Sequence, residues 1–239
     1  MYIPNTKLMA CRDADAHLAI LRIAGAEALW DQFKAHNASY HAPYHNWIHA
    51  RNMVCDVTYL AGLDTSLITA ALFHDMNHSA GRDLDDMNIE AALSFLHKWV
   101  FFSPAFPQER VGEIENLIRC TEFRDGVFPI EPNTENEGAI RDADLCSIFH
   151  IFEPHGHNQM FGLWREMITS SIGLDWKASE FIDNTEKFLR AATFYTERGQ
   201  DLQANYLDLC LEELRKGWAP LKDFTGHDLV KGSERGFAP

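Results

Sequence analysis

The sequence predicts an all-α protein, a single helical bundle of roughly eight to ten helices. Apolar residues recur at three- and four-residue spacing along most of the chain, which is the period of one face of an α-helix. No stretch combines sustained apolar–polar alternation with the β-branched residues typical of strands. The periodic segments that predict helices are Ala14–Asn37, Trp47–Ala61, Ser66–Met76, Asn88–Val100, Glu109–Cys120, Asn136–Phe149, Asn158–Ser170, Lys177–Tyr195 and Leu202–Lys216.

Loops containing polar residues, proline or glycine separate these helices. The length of 239 residues suits one large domain or at most two small ones, and no internal repeat, low-complexity linker or long charge block divides the chain. We therefore predict one domain over 1–239, with a loose tail at its end. The predicted loops are Ser39–Pro43, Ser79–Asp86, Phe102–Pro107 and Arg124–Thr134, and the tail is Gly232–Pro239.

The formal net charge of -14 limits the partners of the protein. Such an acidic chain disfavours an electrostatic hold on bulk nucleic acid or on an anionic membrane, although a bound metal can reverse the field locally for a small anionic substrate. The five scattered cysteines include no Cys-x-x-Cys pair and suit a reducing compartment. The first residues lack the pattern of a signal peptide, and no run approaches the ~20 apolar residues of a membrane span. We expect a cytoplasmic protein.

Two histidine groups and a later pair of aspartates stand out against the rest of the sequence. In each group two histidines are four residues apart, which on a helix puts them on one face. Imidazole nitrogen and carboxylate oxygen together are ligands that zinc, iron and manganese accept. The groups are His45–His49 and His74–His78, and the aspartates downstream are Asp142 and Asp144.

The adjacent residues His74 and Asp75 restrict where an ion can lie. Neighbouring side chains on a regular helix diverge by roughly 100°, so both reach one ion only if it lies off the helix axis near a helix end. The loop that begins at Ser79 predicts such an end close by. A single histidine on an apolar face is more often a packed residue, so the metal hypothesis depends on the joint pattern. Asp142 could be the ligand in place of Asp144.

These residues resemble the HD superfamily of metal-dependent phosphohydrolases, whose pattern is a histidine, a His-Asp pair and a distant aspartate. The His-Asn-x-x-His and His-Asp-x-x-His runs at His45–His49 and His74–His78 resemble its cyclic-nucleotide phosphodiesterase branch. The resemblance covers roughly His41 to Lys216 and implies a helical HD domain. It also implies one divalent ion, of Mn, Mg, Zn, Fe, Co or Ni, with the ligands His49, His74, Asp75 and Asp144.

The same resemblance implies the catalytic residues. His45 matches the histidine that protonates the leaving oxygen, and His78 matches a histidine near the metal-bound hydroxide, oriented by Glu90. The further histidines of HD proteins with two protein-ligated metals are missing here, so a second ion would rest on Asp75 and water. The expected reaction is attack of metal-bound hydroxide on a phosphodiester or phosphoester of a small nucleotide-like substrate. The alternatives are an HD-fold di-iron oxygenase and a non-catalytic nucleotide-binding domain.

Other patterns in the sequence are weaker indications of a functional site than the two histidine motifs. A third histidine group could be another metal site or the rim of a pocket, but it lacks helical spacing. No P-loop, Gly-x-Gly-x-x-Gly, Gly-x-Ser-x-Gly or His-Glu-x-x-His motif is present. The aromatic residues after the second group are more typical of a core than of a base-stacking platform. The third histidine group is His150, His155 and His157, and the aromatic residues are Phe101, Phe102, Phe123 and Phe128.

Overall fold

The computed structural model describes residues 42–102, 108–170 and 174–228 of the chain. Over these ranges the secondary structure is helical, and the two β-bridges, Arg124 with Val127 and Lys177 with Thr225, are isolated pairs. The all-α prediction is confirmed, and the number of helices agrees with it. The α-helices are α1 (Trp47–Ala61), α2 (Thr65–Phe73), α3 (Asp85–Phe102), α4 (Val111–Arg119), α5 (Glu135–Leu145), α6 (Gly156–Thr169), α7 (Ala178–Ala191) and α8 (Glu197–Gly217).

The observed helix ends differ from the predicted ones on both sides: α8 begins at Glu197 and not at Leu202, and α5 ends at Leu145 and not at Phe149. Helix α2 ends at Phe73, short of the predicted Met76, because the chain leaves the helix in a turn over residues 74–77. Helix α7 ends at Ala191 because Ala192 is extended. The predicted helix Ala14–Asn37 and the predicted tail Gly232–Pro239 lie outside the described residues.

Local capping explains where the helices next to the candidate site begin. The side chain of Asn46 accepts hydrogen bonds from the backbone amides of Ile48 and His49, and this starts α1. Thr134 and Glu137 form a reciprocal capping box at the start of α5. Such caps stabilise a helix by about 0.5–2 kcal/mol each, because they satisfy amides that have no partner inside the helix.

Helix α1 is the central element and is buried along most of its length. It packs against α2 and α5, and all eight helices contribute side chains to one apolar cluster. Full burial of a leucine- or phenylalanine-sized side chain contributes roughly 1.5–3 kcal/mol. The largest fully buried side chains include Trp164, Phe73, Phe149 and Phe181. None of the helices in the described ranges combines the length and the apolar character that crossing a bilayer requires.

Candidate metal centre

Three helix ends meet at the candidate site. His49 is in the first turn of α1, His74 directly follows the last residue of α2, and Asp144 lies in the last turn of α5. Asp75 is in the turn after α2, so the expected position of an ion near a helix end agrees with the geometry. Because α2 and α5 both present their C-terminal, partially negative ends here, the backbone adds to the attraction of a cation.

The expectation that each histidine pair shares a helix face is wrong. His45 lies outside α1, before the capping residue Asn46, and His78 lies beyond the end of α2. The four-residue spacing therefore spans a helix boundary in both motifs. As a result, His49 and His74 face one point, while His45 and His78 lie side by side in a second cluster.

The ligating atoms of the first cluster lie at distances that suit a shared ion. His49 Nε2 is 3.2 Å from His74 Nε2 and 3.0 Å from Asp75 Oδ2, and His74 Nε2 is 2.9 Å from the same oxygen. Asp144 Oδ1 is 3.6 Å from His49 Nε2 and 3.8 Å from His74 Nε2. Atoms that bind one ion at about 2.0–2.2 Å, at tetrahedral or octahedral angles, lie about 2.8–3.6 Å from one another. The distance from Asp144 Oδ1 to His74 Nε2 lies just outside this range, and His49, His74 and Asp144 could hold one metal ion, with Asp75 Oδ2 beside them.

The Asp75 carboxylate provides an independent test of whether this cluster suits a metal ion. Its Oδ2 atom is buried and makes no hydrogen bond, although two imidazole nitrogens lie within 3.0 Å. A buried carboxylate oxygen without a hydrogen bond is costly, and a metal ion at the point where these lone pairs converge would remove that cost. The donor set of two imidazoles and two carboxylates suits zinc, iron, cobalt, nickel or manganese better than calcium.

The protonation of the cluster reflects its excess negative charge. His74 places Nδ1 2.9 Å from the carbonyl of Ala71, so Nδ1 donates to the backbone and Nε2 is the nitrogen that faces the cluster. Burial lowers the pKa of His49, but the carboxylates of Asp144 and Asp75 outweigh burial and raise that pKa to about 10. Burial raises the pKa of Asp75, but the imidazoles of His74 and His45 bring it well below its usual range. In the absence of a metal, a proton on His49 thus supplies the positive charge that these carboxylates require.

The structure distinguishes between Asp142 and Asp144, which the sequence left open as alternative metal ligands. Asp142 is fully buried and points away from the histidines. Its carboxylate accepts the backbone amides of Tyr195 and Thr196 at 2.8–3.1 Å and the Thr196 hydroxyl at 2.7 Å, which anchors the start of α8. Asp144, two residues later, is the aspartate that the fold brings to His49 and His74.

A second cluster joins His45 and His78 to Glu166, a residue that the sequence analysis did not identify. The rings of His45 and His78 stack with centroids 3.5 Å apart and an angle of 25° between their planes. Nδ1 of His45 forms a short hydrogen bond with Glu166 Oε2, and its Nε2 lies 4.0 Å from Asp75 Oδ2. His45 is therefore next to the candidate metal cluster, and its Nδ1 atom is already occupied.

Glu166 reaches this cluster through one face of α6. Gln159 donates to the Asn46 side chain at 3.3 Å, a Cβ at Gly162 would collide with the Pro43 carbonyl, and Glu166 Oε1 accepts the backbone amide of Tyr44 at 2.6 Å. The three residues of α6 have the i, i+3, i+7 spacing of one helix face. The signal that could have revealed Glu166 is this spacing of polar or small residues on a helix whose remaining buried positions are mostly apolar.

His78 is positioned by neighbours other than the predicted Glu90. Its Nδ1 accepts the amide of Ala80 at 3.0 Å, and the amide of Asn88 lies 3.1 Å from its Nε2. Glu90 does not reach the site: its side chain is 64% exposed and accepts a hydrogen bond from Arg119 at 2.7 Å. Asn88 precedes Glu90 by two residues on α3, which turns the two side chains to opposite sides of the helix.

The three side chains of the second cluster have pKa values that shift in different directions. Burial and the charge of His45 lower the pKa of His78 to about 3, so this imidazole is neutral. Burial lowers the pKa of His45, but the carboxylates of Glu166 and Asp75 raise it overall. Burial raises the pKa of Glu166, but the neighbouring His45 outweighs it and brings that pKa to about 2. The cluster therefore consists of a carboxylate, a histidine with a raised pKa, and a neutral histidine.

A second metal ion in this cluster is disfavoured by ring geometry. An imidazole binds a metal through a lone pair in the plane of its ring, and two nearly parallel stacked rings direct these lone pairs side by side. His45 Nδ1 also has the Glu166 carboxylate as its partner, and both nitrogens of His78 have neighbours within 3.1 Å. Apart from His45 Nε2, the ring nitrogens of this cluster therefore already have polar neighbours.

The turn that follows α2 carries unusual backbone conformations. Asn77 and Ala80 have φ values of 63° and 56°, and Gly81 has a φ of 82°. A Cβ on Gly81 would lie 2.5 Å from the backbone carbonyl of Glu166, so glycine permits close packing of this loop on α6. Conformations of this kind in non-glycine residues are concentrated at functional sites, because surrounding contacts must maintain them. They bend the chain so that His78 reaches His45.

The third histidine group is not a ligand cluster in the described part of the chain. His150 is buried between two carboxylates, with Nε2 2.7 Å from Asp56 Oδ2 and Nδ1 2.7 Å from Glu153 Oε1. His155 is exposed at the start of α6, and His157 packs against Gly217 of α8. This group therefore connects α1 to the segment after α5 and does not collect around an ion.

The aromatic residues near the second motif also differ from the expected core positions. Phe101 is 80% exposed, and Phe123 is partly exposed, with its ring against Phe128 and Phe188. The side chain of Phe102 is outside the described residues.

Comparison of the chain with protein-family models, with curated proteins and with solved structures finds no match.

Proposed function

We propose that this protein is a metal-dependent phosphohydrolase of the HD superfamily that acts on a phosphodiester or phosphoester of a small, nucleotide-like substrate. The observation that supports it best is that His49, His74 and Asp144, from three helix ends, offer ligand atoms to one point, with Asp75 Oδ2 within 3.0 Å of both histidine nitrogens. A separate histidine, His45, lies beside that point with Nε2 4.0 Å from Asp75 Oδ2. The site thus combines ligands for one cation with a protonated group that does not bind it.

The chemistry of such a site divides between the cation and the chain. A divalent ion bound there lowers the pKa of a water molecule and polarises a phosphoryl oxygen. His45 supplies the proton that the leaving oxygen requires, because its pKa is raised and its Nε2 faces the cluster. His78 stacks on His45 and, as a neutral imidazole, adds no second positive charge to the pair.

The acidic balance of the protein agrees with a small substrate better than with a polyanion. A net charge of -14 repels extended nucleic acid, while a bound cation attracts one phosphate group locally. An oxygenase with two iron ions would need a second set of ligands, and the stacked rings of His45 and His78 do not direct their lone pairs to one ion. A binding module without catalysis would not require His45 to retain a proton next to the ligand cluster.

The test measures metal content and turnover together. The wild-type protein and Asp75→Asn are loaded with Mn²⁺, dialysed, and analysed for bound metal. Both are assayed with bis-(p-nitrophenyl) phosphate, p-nitrophenyl phosphate and a panel of nucleotides. We expect about one ion per chain and turnover in the wild type, and loss of both in Asp75→Asn.

His45→Ala serves as the second variant, because His45 does not belong to the ligand cluster. We expect it to keep the ion and to lose turnover of substrates with poor leaving groups by roughly 10²-fold or more. A metal-loaded wild type without turnover of any of these substrates would refute the proposal. Oxygen consumption by the iron-loaded protein would then identify the oxygenase, and nucleotide binding without reaction would identify the binding module.

A further inference from the structure

We propose that Asp85 is a specificity-determining residue of the candidate site, and that its carboxylate selects a base with an amino group at its edge, as in cytosine, over one with a carbonyl oxygen there, as in uracil. This inference rests on the proposed function, because it narrows the class of nucleotide-like substrate. The observation that carries it is a carboxylate oxygen, Asp85 Oδ1, that lies 3.9 Å from Nε2 of His78 on a side chain that is 27% exposed.

Asp85 lies within the reach of a substrate bound at the candidate metal cluster. The rings of His45 and His78 stack with centroids 3.5 Å apart, and His45 Nε2 is 4.0 Å from Asp75 Oδ2. Asp85 adjoins the other member of this pair, His78. Successive short contacts therefore join the candidate metal cluster to Asp85, and a mononucleotide is long enough to extend from a phosphate at one to a base at the other.

The two oxygens of the Asp85 carboxylate have different partners. Oδ2 accepts the backbone amide of Phe123 at 2.6 Å, which holds the side chain in place. Among the described residues, Oδ1 has longer contacts, with the Asn88 amide nitrogen at 3.5 Å and with His78 Nε2 at 3.9 Å. The Asn88 amide nitrogen is closer to His78 Nε2, at 3.1 Å. Oδ1 therefore retains the capacity to accept a hydrogen bond from a ligand.

No lysine or arginine of the described ranges is paired with Asp85. Arg124 of the neighbouring loop pairs with Asp86 at 3.7 Å, and His78 is neutral because its pKa is lowered to about 3. Burial raises the pKa of Asp85, and the carboxylate of Asp75 adds to this effect. An N–H donor satisfies an acceptor in this position, whereas a carbonyl oxygen that faces it is repelled and leaves both acceptors without a donor.

Apolar side chains near Asp85 provide a surface for the rest of a base. The ring of Phe123 is 37% exposed, and Phe128 and Phe188 hold it in edge-to-face contacts at 4.9 and 5.4 Å. Leu84, next to Asp85 in the chain, is exposed as well. Ligand sites typically combine such apolar surface with a few polar groups that determine specificity. Asp85 Oδ1 is the polar group of this kind here.

The Phe123 amide makes the substitution Asp85→Asn a direct test of this selectivity. An asparagine side chain has one acceptor oxygen, and the Phe123 amide requires an acceptor. The carbonyl oxygen of the new side chain therefore takes the place of Oδ2, and its NH₂ group takes the place of Oδ1. The position that faces the base changes from an acceptor to a donor, so the preference is expected to change from an amino group to a carbonyl oxygen.

The experiment compares cytidine and uridine compounds, because an amino group of cytosine stands where uracil has a carbonyl oxygen. CMP and UMP serve as monoesters, and the 2′,3′-cyclic phosphates of cytidine and uridine serve as diesters, each with the Mn²⁺-loaded protein. For the class of ester that is hydrolysed, we expect kcat/KM of the wild type to be roughly 10- to 100-fold higher for the cytidine compound. We expect Asp85→Asn to bring this ratio to one or below, with unchanged metal content.

A binding measurement complements these assays because it does not depend on turnover. The 5′-methylenephosphonates of cytidine and uridine carry a carbon in place of the bridging oxygen and are not cleaved, so calorimetry gives their Kd values for the same Mn²⁺-loaded proteins. The ratio of the two Kd values is expected to favour cytidine in the wild type and to lose this preference in Asp85→Asn. The matched control is Asp86→Asn, which removes the neighbouring carboxylate that pairs with Arg124 at 3.7 Å and is expected to leave both ratios unchanged.

The outcomes separate this inference from the proposed function. A wild type that hydrolyses the cytidine and uridine compounds equally well would overturn the role of Asp85, as would a folded Asp85→Asn in which both activities fall by the same factor. A wild type that hydrolyses none of these compounds would count against the phosphohydrolase, and the Kd values would then decide the inference. Tighter binding of the cytidine analogue that is lost in Asp85→Asn supports it, and equal or absent binding of the two analogues refutes it.

Discussion

Two buried histidine–carboxylate clusters in this molecule contain the same residue types in opposite arrangements. In the cluster around His150, each ring nitrogen lies 2.7 Å from a carboxylate oxygen, that of Asp56 or that of Glu153, as a hydrogen bond requires. In the cluster around His49 and His74, the nitrogens and Asp75 Oδ2 converge at about 3 Å, and the oxygen makes no hydrogen bond. In the first arrangement each ring nitrogen has its own carboxylate partner, whereas in the second two ring nitrogens share one carboxylate oxygen.

The difference follows from where each cluster lies in the fold. His150 ends the short 3₁₀ helix Cys146–His150 that follows α5, and its contact with Asp56 joins this helix to the middle of α1. The residues of the candidate metal cluster come from the ends of α1, α2 and α5, and these three helix ends lie next to one another. Carboxylates on opposite sides of a ring form a structural pair with it, whereas ligand atoms that converge on one point could hold a cation.

The largest expected effect concerns the structural cluster. His150→Leu removes the histidine from a buried pair in which both side chains are at most 2% exposed. Loss of one partner of such a pair costs about 3–5 kcal/mol, because the remaining carboxylate stays buried. We expect this loss in urea unfolding, with unchanged metal content, and a partial recovery in the double variant Asp56→Leu, His150→Leu. Loss of the metal in folded His150→Leu would show that the two clusters are not independent.

The pair of His45 and Glu166 adds a third arrangement, in which a hydrogen-bonded pair lies beside the metal cluster. The pKa of Glu166 is about 2 in the folded protein against 4.5 in an unfolded chain, so its carboxylate stabilises the fold above pH 4.5. That contribution, on the order of 3 kcal/mol, is lost as the pH falls from 4.5 toward 2. We expect the stability difference between the wild type and Glu166→Gln to shrink over this range in thermal unfolding. A difference that is constant with pH would argue against the charged pair.

Removal of the metal tests the incomplete cluster directly. A ligand at 100 times its Kd stabilises the folded state by about 2.7 kcal/mol, which for a chain of this length shifts Tm by roughly 5–10 °C. We expect chelation to lower Tm by this amount and Mn²⁺ or Zn²⁺ to restore it. The same treatment of Asp75→Asn serves as the control and is expected to have no effect. An unchanged Tm in the wild type would mean that the cluster holds no ion.

The smallest expected effect separates the two aspartates of α5. Asp142→Ala leaves the amides of Tyr195 and Thr196 and one hydroxyl without their acceptor, which costs about 2 kcal/mol. Its metal content is expected to match that of the wild type. Asp144→Ala is expected to lose the ion and to unfold at nearly the same urea concentration as the metal-free wild type. The reverse result, with metal lost only in the Asp142 variant, would reassign the ligand.

Much of the fold was predictable from the sequence, because helical periodicity and capping are local. Helix α1 matches its predicted bounds, since Asn46 provides a cap and Gly62 follows the last turn. The ends of α2 and α7 were not predictable, because their residues have acceptable helix propensity and tertiary contacts determine where the chain turns. Propensity is a weak signal at such ends.

The candidate site was predictable in part. The order of His49, His74, Asp75 and Asp144 is visible in the sequence, and the structure brings these residues together. Glu166 was not visible, because it is 121 residues from His45 and resembles an ordinary polar position of an amphipathic helix. Glu90 was predicted to orient His78 because the two residues are close in the sequence. The prediction is wrong because the orientation of α3 directs the Glu90 side chain to solvent.

The stripe of Gln159, Gly162 and Glu166 on α6 has a consequence for the order in which the site is completed during synthesis. All four candidate metal ligands have emerged once the chain extends beyond residue 144, whereas the support for His45 emerges with α6. The candidate ligands are therefore all present in the chain before Glu166, the hydrogen-bond partner of His45, has been synthesised.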